Sequence, residues 1–563
     1  MTHPESLNAY RAAGVIGRDE IAAATLLVEM ASRDGARDPD PLAWLGLCLT
    51  LRTVRDGHTC VDFDRIAAWG GEIDPEAPEA PPWQTDAADW IAALEKAESI
   101  VGKPGDRKPF ILDGHRLYLA RPHAEEESIA AAIKARAATG TIKILLGGPG
   151  TGKTTKVAQD LVQLFQAADH DGGELSVALA APTGKAAARM AEAIRKACGS
   201  ENVEASREVI DRILQLKPTT VHKLLGSHRS RGDSYTYHAG KHLPFKLVIV
   251  DEASMLSSSL LHHLLAAIAD DATIMLVGDP DQLASVDAGT ALGDIAVFAD
   301  PTHESTALAG CIETLTECHR TESLMILDLA DAIRQGQPER ALKLLQKEGT
   351  AVTWVDLAEK KKLEQLTNEV VSHATQLREL ARGKNAEAVL SKQGELQVLC
   401  GHRAGPMGVA GWNKRVEKQL DIRPGYPWYT GRPVMITRNS PSLRLANGDV
   451  GVVMSGGDTR VAAFEISDAE GQHLELPVTR LEDIETVHAL TIHKSQGSEY
   501  GHAVVVLPER ASRIVTRELL YTAVTRARNK VTVVGSREVI EAAIKTPIRR
   551  ATGLESRLGG GDA

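Results

Sequence analysis

The chain has 563 residues and a formal net charge of −11 at pH 7; 43% of its residues are hydrophobic and 25% are charged. This length exceeds what one hydrophobic core supports and predicts three or four domains. The net negative charge excludes attraction to nucleic acid by the overall field, so a nucleic-acid partner would require a local basic groove.

Residues 1–110 are predicted to form a helical domain. The segment AWLGLCLTLRTVRDG has a helical apolar period, and the stretch DPEAPEAPPW, residues 74–83, predicts an exposed loop. The segment contains no catalytic constellation, so we expect a structural domain or one that docks a partner.

Residues 111–340 alternate between strand and helix patterns. Four short apolar strands each end in a polar or glycine-rich turn, in the segments TIKILLGGPGTGKTT, LSVALAAPTGKAAARM, PFKLVIVDEASM and DATIMLVGDPDQL. This pattern predicts an α/β fold with a doubly wound parallel sheet and its chemistry at the carboxyl ends of the strands. The insert at 226–244 predicts a hairpin on this domain.

Residues 341–563 are predicted to form a second domain of the same kind. Its alternation of strand and helix patterns begins near GELQVLC, residues 394–400, and ends with the strands HAVVVLP and VTVVG. Between them, residues 430–486 alternate with period two and have glycine-rich turns, which predicts a small inserted antiparallel barrel. The tail GLESRLGGGDA is predicted to be disordered.

The cysteines and the amino-terminal residues indicate the cellular compartment in which the protein is expected. The six cysteines form no C-x-x-C pair, so neither a disulfide framework nor a zinc site is indicated. The start MTHPESLNAYRAAG lacks the apolar core of a signal peptide, and no apolar run reaches the ~18 residues of a membrane-spanning helix. We therefore expect a cytoplasmic protein.

The segment GGPGTGKT, residues 147–154, is a Walker A phosphate-binding loop. Its glycines let successive backbone N–H groups approach phosphates, and the following helix points its N-terminus at them. Lys153 is predicted to reach the β- and γ-phosphates and Thr154 to be a ligand of Mg²⁺. The predicted nucleotide contacts of this loop are Gly147, Gly148, Pro149, Gly150, Thr151, Gly152, Lys153, Thr154 and Thr155.

The segment LVIVDE, residues 247–252, is a Walker B strand. Asp251 is predicted to hold Mg²⁺, directly or through water, and Glu252 to orient or activate the attacking water. An adjacent acidic pair at a strand end is weak evidence alone, but after a Walker A loop it favours hydrolysis over mere binding.

The remaining motifs follow in a recognisable order: APTGKAAARM, TTVHKLLG, VGDPDQLASVDAG, LTECHR, TIHKSQGSEY and YTAVTRAR. With the Walker motifs, this set resembles the superfamily 1B helicases of the RecD type, over about residues 140–535. The segment at 431–453 extends the likeness, and GHTCVDF, residues 57–63, resembles part of the RecD amino-terminal domain. The resemblance implies two RecA-like P-loop domains, a helical N-terminal domain and an SH3-like barrel.

The resemblance also implies an activity and partners. These are ATP-dependent 5′→3′ DNA helicase activity, with ATP and Mg²⁺ as cofactors, in the RecD subunit of exodeoxyribonuclease V (RecBCD). Such a subunit acts on single-stranded DNA and duplex ends in double-strand break repair and homologous recombination, with RecB-like and RecC-like subunits. No nuclease-like acidic cluster stands out, so the nuclease site is expected on a partner.

Two alternatives remain open, a stand-alone superfamily 1B helicase and a structural subunit with an inactive motor. Stand-alone relatives usually carry a longer front end with helix-hairpin-helix repeats, which this sequence lacks. Intact Glu252 and Arg526 oppose the second alternative.

Further site residues are implied by the resemblance, position by position. Gln282 would sense the γ-phosphate, Arg320 would contact it from the interdomain cleft, and Arg526 would be an arginine finger. Gly497 and Glu499 would face the nucleotide, and the 226–244 hairpin would split the duplex. The implied DNA-groove residues are Pro182, Thr183, Lys185, Thr220, His222, His493, Lys494 and Ser495.

Several of these residues also have plainer interpretations. His222 fits a packed helix residue, Lys185 a solvated one, and Arg526, taken alone, a solvated helix face. No glutamine lies between Val101 and Gly147, where many superfamily 1 helicases read adenine.

Overall fold

The computed structural model describes residues 4–31, 38–67, 83–170, 172–199, 205–227, 234–300, 308, 310–317, 324–347, 349–423, 425–456, 459–465 and 473–559. These residues form four sheets, of which two are parallel. Within these ranges, no helix combines the length and apolarity needed to cross a membrane.

The amino-terminal unit is helical, as predicted, and also contains a four-stranded sheet of order β1-β4-β3-β2. Its elements are α1 (Ser6–Ala12), α2 (Arg18–Ala31), α3 (Pro41–Asp56), β1 (Cys60–Asp62), α4 (Ala87–Glu95), β2 (Val101–Gly102), β3 (Phe110–Asp113) and β4 (Arg116–Leu119). Trp44 and Trp90 are fully buried at its centre. The loop predicted at 74–83 lies outside the described residues, apart from Trp83.

The first parallel sheet has six strands in the order β10-β5-β9-β8-β6-β7. The strands are β5 (Ile142–Gly147), β6 (Val177–Ala181), β7 (Thr219–Thr220), β8 (Leu247–Val250), β9 (Thr273–Gly278) and β10 (Ile312–Leu315). The helices are α5 (Ala120–Thr139), α6 (Lys153–His170), α7 (Gly184–Cys198), α8 (Arg207–Gln215), α9 (Val221–Leu224), α10 (Ser258–Ala267) and α11 (Ala291–Ala296).

Both faces of this sheet are covered. Along β8, Val248 and Val250 join one hydrophobic core, whereas Leu247 and Ile249 join another. A strand buried on both faces reads as a continuous apolar run, as LVIV does. The predicted α/β class with a parallel sheet is confirmed.

The second parallel sheet has five strands in the order β11-β20-β19-β12-β18. The strands are β11 (Val352–Val355), β12 (Leu396–Cys400), β18 (Ala489–Thr491), β19 (Tyr500–Val506) and β20 (Ala527–Val534). The helices are α12 (Leu324–Arg334), α13 (Pro338–Leu345), α14 (Lys360–Leu380), α15 (Ala386–Glu395), α16 (Val409–Gln419), α17 (Arg517–Val524) and α18 (Arg537–Lys545).

An antiparallel sheet is inserted between β12 and β18 in the chain, with the order β16-β15-β14-β13-β17. Its strands are β13 (Pro433–Ile436), β14 (Val450–Gly456), β15 (Thr459–Glu465), β16 (His473–Pro477) and β17 (Ile484–Thr486). Among the residues described, no ladder joins the edge strands β16 and β17, so the SH3-like closure of the predicted barrel is not confirmed.

The carboxyl-terminal tail differs from the prediction. Residues Leu554–Gly559 form a helix, α19, instead of a disordered end. Leu554 and Leu558 are buried in one of the cores of the first parallel sheet. Their spacing of four residues puts both side chains on one helix face, which explains why the segment is ordered there.

Of the predicted hairpin at 226–244, the structure describes residues 226–227 and 234–244. Ser227 and Tyr235 form an antiparallel bridge, and His238 and Lys241 form another. Residues 228–233 lie outside the described ranges, so the duplex-splitting pin stays a prediction.

Candidate active site

The Walker A loop joins β5 to α6 and requires glycine at several positions. Gly150 and Gly152 have φ angles of +79° and +80°, a region that side chains disfavour. A Cβ at Gly147 would lie 2.6 Å from the hydroxyl oxygen of Thr151. Lys153 donates from Nζ to the carbonyl oxygens of Gly147 (2.6 Å) and Gly148 (3.0 Å). The ammonium group is thus held inside the loop.

The acidic pair, Asp251 and Glu252, follows β8. In the sheet, one strand, β9, separates β8 from the Walker A strand β5. The N–H of Glu252 donates to Oδ1 of Asp251 at 2.8 Å. Glu252 has φ +52° and ψ +40°, a left-handed conformation that costs about 1–3 kcal/mol for a non-glycine residue. Burial raises the pKa of Asp251 to about 6; Glu252 acts in the same direction and Lys153 opposes it.

The loop between β9 and α11, residues 279–289, is called the sensor loop below. Asp279 is buried at its start and accepts hydrogen bonds from Nε2 of Gln282 (3.0 Å) and from the hydroxyl of Tyr521 (3.1 Å). Burial raises the pKa of Asp279, and the nearby Lys153 opposes this. The charges of Lys153, Asp251 and Asp279 therefore meet at one edge of the sheet.

Arg526 reaches the sensor loop from the second parallel sheet. It lies between α17 and β20 and is only 3% exposed. Its Nη2 donates to Oε1 of Gln282 at 2.7 Å, and its Nε donates to the carbonyl of Thr522 at 3.1 Å. Nη1 contacts the carbonyl of Ser498 at 3.3 Å. Arg526 is therefore not a solvated helix residue.

Two further hydrogen bonds join the sensor loop to the second parallel sheet. The N–H of Leu283 donates to the hydroxyl of Thr522 at 2.9 Å, and Nε2 of Gln496 donates to the carbonyl of Leu283 at 3.1 Å. Because neutral side chains make both contacts across the cleft, they fix the geometry of approach without adding charge.

A groove candidate lies at the edge strands of the two parallel sheets. Since β6 and β7 are parallel neighbours, the residues that follow them lie side by side. Thr183 caps α7 and Thr220 caps α9, each accepting from a backbone N–H through its hydroxyl. Lys185 is half-buried; burial and Arg189 lower its pKa to about 8.

In the second sheet, the turn after β18 contributes to the same region. His493 is half-buried there, and burial lowers its pKa. Lys494 forms an ion pair with Glu485 at 2.7 Å. Close by, a Cβ at Gly497 would lie 3.7 Å from the backbone nitrogen of Ala186, so this segment approaches the start of α7.

Three families of known domains match successive parts of the chain. The AAA domain matches residues 125–356, and the UvrD-like helicase C-terminal domain matches residues 486–534. The N-terminal domain of RecBCD enzyme subunit RecD matches residues 12–118.

Full-length relatives decide the assignment. RecBCD enzyme subunit RecD of Mycolicibacterium smegmatis is 38% identical, with 93% of this chain and 95% of the relative covered. The chain belongs to the RecD family. The RecD subunit of Mycobacterium tuberculosis is 37% identical, covering 98% of this chain and 96% of its own length. The ATP-dependent RecD2 DNA helicase of Deinococcus radiodurans is 31% identical, but only 50% of its length is covered.

The predicted RecD-family site residues divide by position. The loop of Lys153, the pair Asp251–Glu252, Gln282 and Arg526 come together across the two parallel sheets. Glu499 lies at the edge of this group, with Arg528 at 3.4 Å and Arg189 at 3.9 Å. Arg320 lies outside the described residues.

Two of the DNA-groove predictions change in detail. Ser495 is fully buried and its hydroxyl donates to the carbonyl of Ile492 at 2.7 Å, so its side chain supports the turn and does not face a groove. His222 is exposed on α9, with its ring 6.5 Å from that of Tyr235, so a packed position inside the core is excluded.

Sequence reasoning missed three residues of this RecD-family cleft. Asp279 and Tyr521 lie in the segments GDPDQ and YTAVTRAR, in which the resemblance implied site roles only for Gln282 and Arg526. Arg189 lies on α7, 3.9 Å from Glu499, and its segment APTGKAAARM was predicted to supply only DNA-groove residues. The available signal in each case was a predicted site residue three to five positions away in the same motif.

The donor set fits Mg²⁺. Thr154 and Asp251 offer oxygen ligands, and the pKa of Asp251 is raised to about 6 by burial and by Glu252 although Lys153 is near, so a further cation would stabilise the carboxylate. Mg²⁺ usually binds through one or two carboxylates together with substrate phosphates. Among the described residues no cluster of three or more His, Cys, Asp and Glu ligands occurs.

Proposed function

We propose that this chain is an ATP-driven DNA motor, the RecD subunit of an exodeoxyribonuclease V. It would move 5′→3′ on single-stranded DNA and act at duplex ends with RecB-like and RecC-like subunits, in the cytoplasm, during break repair and recombination. The nuclease step is assigned to a partner. Family membership supports this proposal, as do the printed names of the RecD relatives.

One contact carries the proposal. Arg526, from the second parallel sheet, donates at 2.7 Å to Gln282, whose own amide donates to Asp279 beside the Walker A loop. A hydrolase that couples cleft closure to phosphate chemistry needs a positive charge delivered from the opposite domain. The contact supports this role for Arg526 because it places the guanidinium group at the loop that adjoins Lys153.

The two sides of the cleft have different tasks. Lys153 and the backbone N–H groups of its loop would bind the β- and γ-phosphates, and Glu252 would orient the attacking water. Arg526 would leave Gln282 for the γ-phosphate as charge develops there. Mg²⁺, held by Thr154 and Asp251, would neutralise phosphate charge.

Movement would follow from the same contacts. Closing the cleft brings the turn at His493–Ser495 toward Lys185, and opening separates them, so grip on the strand alternates between the two sheets. Contacts to the backbone of DNA give little sequence preference. Only 4% of the residues are aromatic, which favours phosphate contacts over stacking.

A paired substitution tests the motor. Lys153→Gln should lower the DNA-stimulated rate of ATP hydrolysis by at least about a hundredfold, because the lysine balances phosphate charge. Lys156→Gln is the matched control: it lies on the same helix and pairs with Asp160 at 2.7 Å. Lys156→Gln should change the rate of ATP hydrolysis by less than about twofold, because this half-buried pair lies outside the predicted phosphate loop at 147–155 and so leaves the phosphate charge balance unchanged. Equal rates for wild type and Lys153→Gln would refute the proposal.

A stand-alone superfamily 1B helicase is the second candidate. The Deinococcus RecD2 helicase matches 74% of this chain, which favours the shared motor, and the match covers 50% of that relative's length. Affinity purification of the tagged chain from its own cells separates the two. Co-purification of two large subunits supports the RecBCD assignment; a chain that purifies from its own cells without large partners, and that unwinds DNA fully on its own, supports the stand-alone helicase.

A further inference from the structure

The carboxyl-terminal segment 546–559, called the strap below, leaves the second parallel sheet after α18 and crosses to the rest of the molecule. It ends in α19, whose Leu554 and Leu558 are buried in the first sheet's core. On the way, the N–H of Ala551 donates to Nδ1 of His58 at 2.8 Å, and its carbonyl accepts from the N–H of Thr59 at 3.0 Å. The strap therefore contacts the GHTC segment of the amino-terminal unit.

Arg550 of the strap holds the sensor loop. Its Nη1 donates to the carbonyl oxygens of Asp287 (2.7 Å) and Gly289 (2.9 Å), and its Nη2 donates to that of Ser285 (2.6 Å). One guanidinium group thus satisfies three backbone acceptors. Hydrogen bonds from a charged donor are roughly twice as strong as neutral ones.

The sensor loop depends on such outside contacts. Residues 284–289 contain neither helix nor strand, so their backbone groups need other partners. Val286, in the middle of these residues, is 80% exposed and does not anchor the loop by burial. The conformation of this part is therefore fixed mainly by polar contacts.

Gly57 holds the same loop from the amino-terminal unit. Its carbonyl accepts from the N–H of Gly289 at 3.0 Å. Gly57 has φ +83°, and a Cβ there would lie 2.9 Å from Cζ of Arg550. Only glycine allows both the backbone angle and the close approach of the guanidinium group. This gives a physical reason for a glycine at the start of GHTC.

The opposite end of the loop contacts the second parallel sheet, through Gln282 with Arg526 and Leu283 with Thr522. Resting on the proposed function, we propose that Arg550 is a positioning residue: it holds the sensor loop so that DNA binding is transmitted to Gln282, and Gly57 extends this link to the amino-terminal unit. Arg550 also lies near the groove, since its charge contributes to lowering the pKa of His493 after the larger effect of burial.

Two variants of the full-length chain distinguish a role of Arg550 in positioning the sensor loop from a role in stabilising the strap alone. Arg550→Gln removes the three carbonyl contacts. Arg557→Gln is the control: Arg557 belongs to the same strap, but pairs with Asp113 at 2.5 Å and with Glu126 at 3.8 Å. Both should lower the melting temperature. Only Arg550→Gln should reduce the stimulation of ATP hydrolysis by single-stranded DNA, by roughly three- to thirtyfold.

Hydrogen exchange gives a second readout that does not depend on activity. In Arg550→Gln, backbone amides of residues 283–290 should exchange faster, whereas those of the Walker A loop should not; Arg557→Gln should change neither. If Arg550→Gln does not fold, Arg550→Lys, which keeps the charge but cannot span three carbonyls, is judged by the same two readouts.

The outcomes are distinct. Equal loss of DNA stimulation in Arg550→Gln and Arg557→Gln, or none in either, overturns the positioning role. A wild-type chain whose ATP hydrolysis DNA does not stimulate overturns the proposed motor function instead, and the positioning role with it.

Discussion

At the scale of single residues, Arg526 shows how a charged side chain is kept ready inside a cleft. Its guanidinium group is 3% exposed, and its hydrogen-bond acceptors are the neutral oxygens of Gln282, Thr522 and Ser498. A buried charge that is hydrogen-bonded to neutral oxygens keeps part of its desolvation cost. An incoming γ-phosphate would be a stronger acceptor than an amide oxygen, so the side chain is poised to exchange partners.

Arg526→Ala should lower the rate of ATP hydrolysis by ~10³–10⁵, about 4–7 kcal/mol of barrier, while nucleotide affinity changes little. The reason is that the charge acts on the developing transition state. Steady-state hydrolysis and binding of a fluorescent ATP analogue measure the two quantities.

The control for this variant is Arg528→Ala. Arg528 lies on β20, is 52% exposed, and pairs with Glu499 at 3.4 Å. Exposed pairs contribute about 0–1 kcal/mol, so hydrolysis should stay within a few-fold of wild type. If Arg526→Ala and Arg528→Ala had the same rate, the finger role would be wrong.

Lys185 predicts a pH dependence of DNA binding. Burial and Arg189 lower its pKa to about 8, so the ammonium form prevails below that pH and the neutral amine above it. Phosphates bind the charged form. Affinity for single-stranded DNA should therefore fall as the pH rises from about 7 to about 9.

Lys185→Arg is the matched variant for that measurement, since a guanidinium group stays charged throughout this range. Fluorescence anisotropy at constant ionic strength should show a flatter pH profile for Lys185→Arg than for wild type. Identical profiles would mean that Lys185 does not contact the DNA phosphates.

At the scale of elements, α17 links the two sides of the cleft. Thr516 caps its N-terminus by accepting from the N–H of Leu519. Tyr521 and Thr522 then reach Asp279 and Leu283 of the sensor loop. One short helix thus carries two of the contacts to the sensor loop, and Arg526 follows it closely.

Tyr521→Phe should lower the free energy of unfolding by about 1.5–3 kcal/mol, because it removes a hydrogen bond to a buried carboxylate. It should also slow ATP hydrolysis, since α17 positions Arg526. Tyr429→Phe is the control. The hydroxyl of Tyr429 contacts Glu417 (3.1 Å) and His488 (2.8 Å), and all three residues belong to the half of the chain that contains the second parallel sheet. Denaturant unfolding and hydrolysis assays should show similar instability for both, but slower hydrolysis only for Tyr521→Phe. Unchanged hydrolysis in Tyr521→Phe would contradict this role for α17.

The sequence predicted long apolar strands well and short edge strands poorly. β6 and β8 are continuous apolar runs because both faces are buried, and β5 and β9 are apolar apart from Lys143 and Thr273 near their starts. The edge strand β7 has only two residues, and β10 is partly exposed, so neither has a period to detect. Helix α19 was missed because Leu554 and Leu558 become informative only once the core that receives them is known.

The candidate site was predictable where chemistry requires a local motif. Lys153, Asp251 and Glu252 were found because phosphate and water binding fix residue types at fixed spacing. Arg550 was not, because its carbonyl partners lie more than two hundred and fifty positions earlier in the chain. A contact of that kind leaves no periodicity or spacing in the sequence.

At the scale of the whole molecule, the strap near the carboxyl terminus contacts the amino-terminal unit. The N–H of Thr59 donates to the carbonyl of Ala551 at 3.0 Å, and the N–H of Gly553 donates to the buried Glu126 at 3.0 Å. The amino-terminal unit, the first sheet and the last residues therefore meet at one place. A partner that docks on the amino-terminal unit would act on the motor through these contacts.

The most direct test of the central claim is unwinding of a duplex with a single-stranded tail, with the chain alone and with its co-purified subunits. We expect the chain to unwind a duplex with a 5′ tail only when ATP is present, and Lys153→Gln to abolish this activity. A matched duplex with a 3′ tail should remain intact with the chain alone. Unwinding that prefers the 3′ tail, or that persists in Lys153→Gln, would contradict a 5′→3′ motor driven by this site.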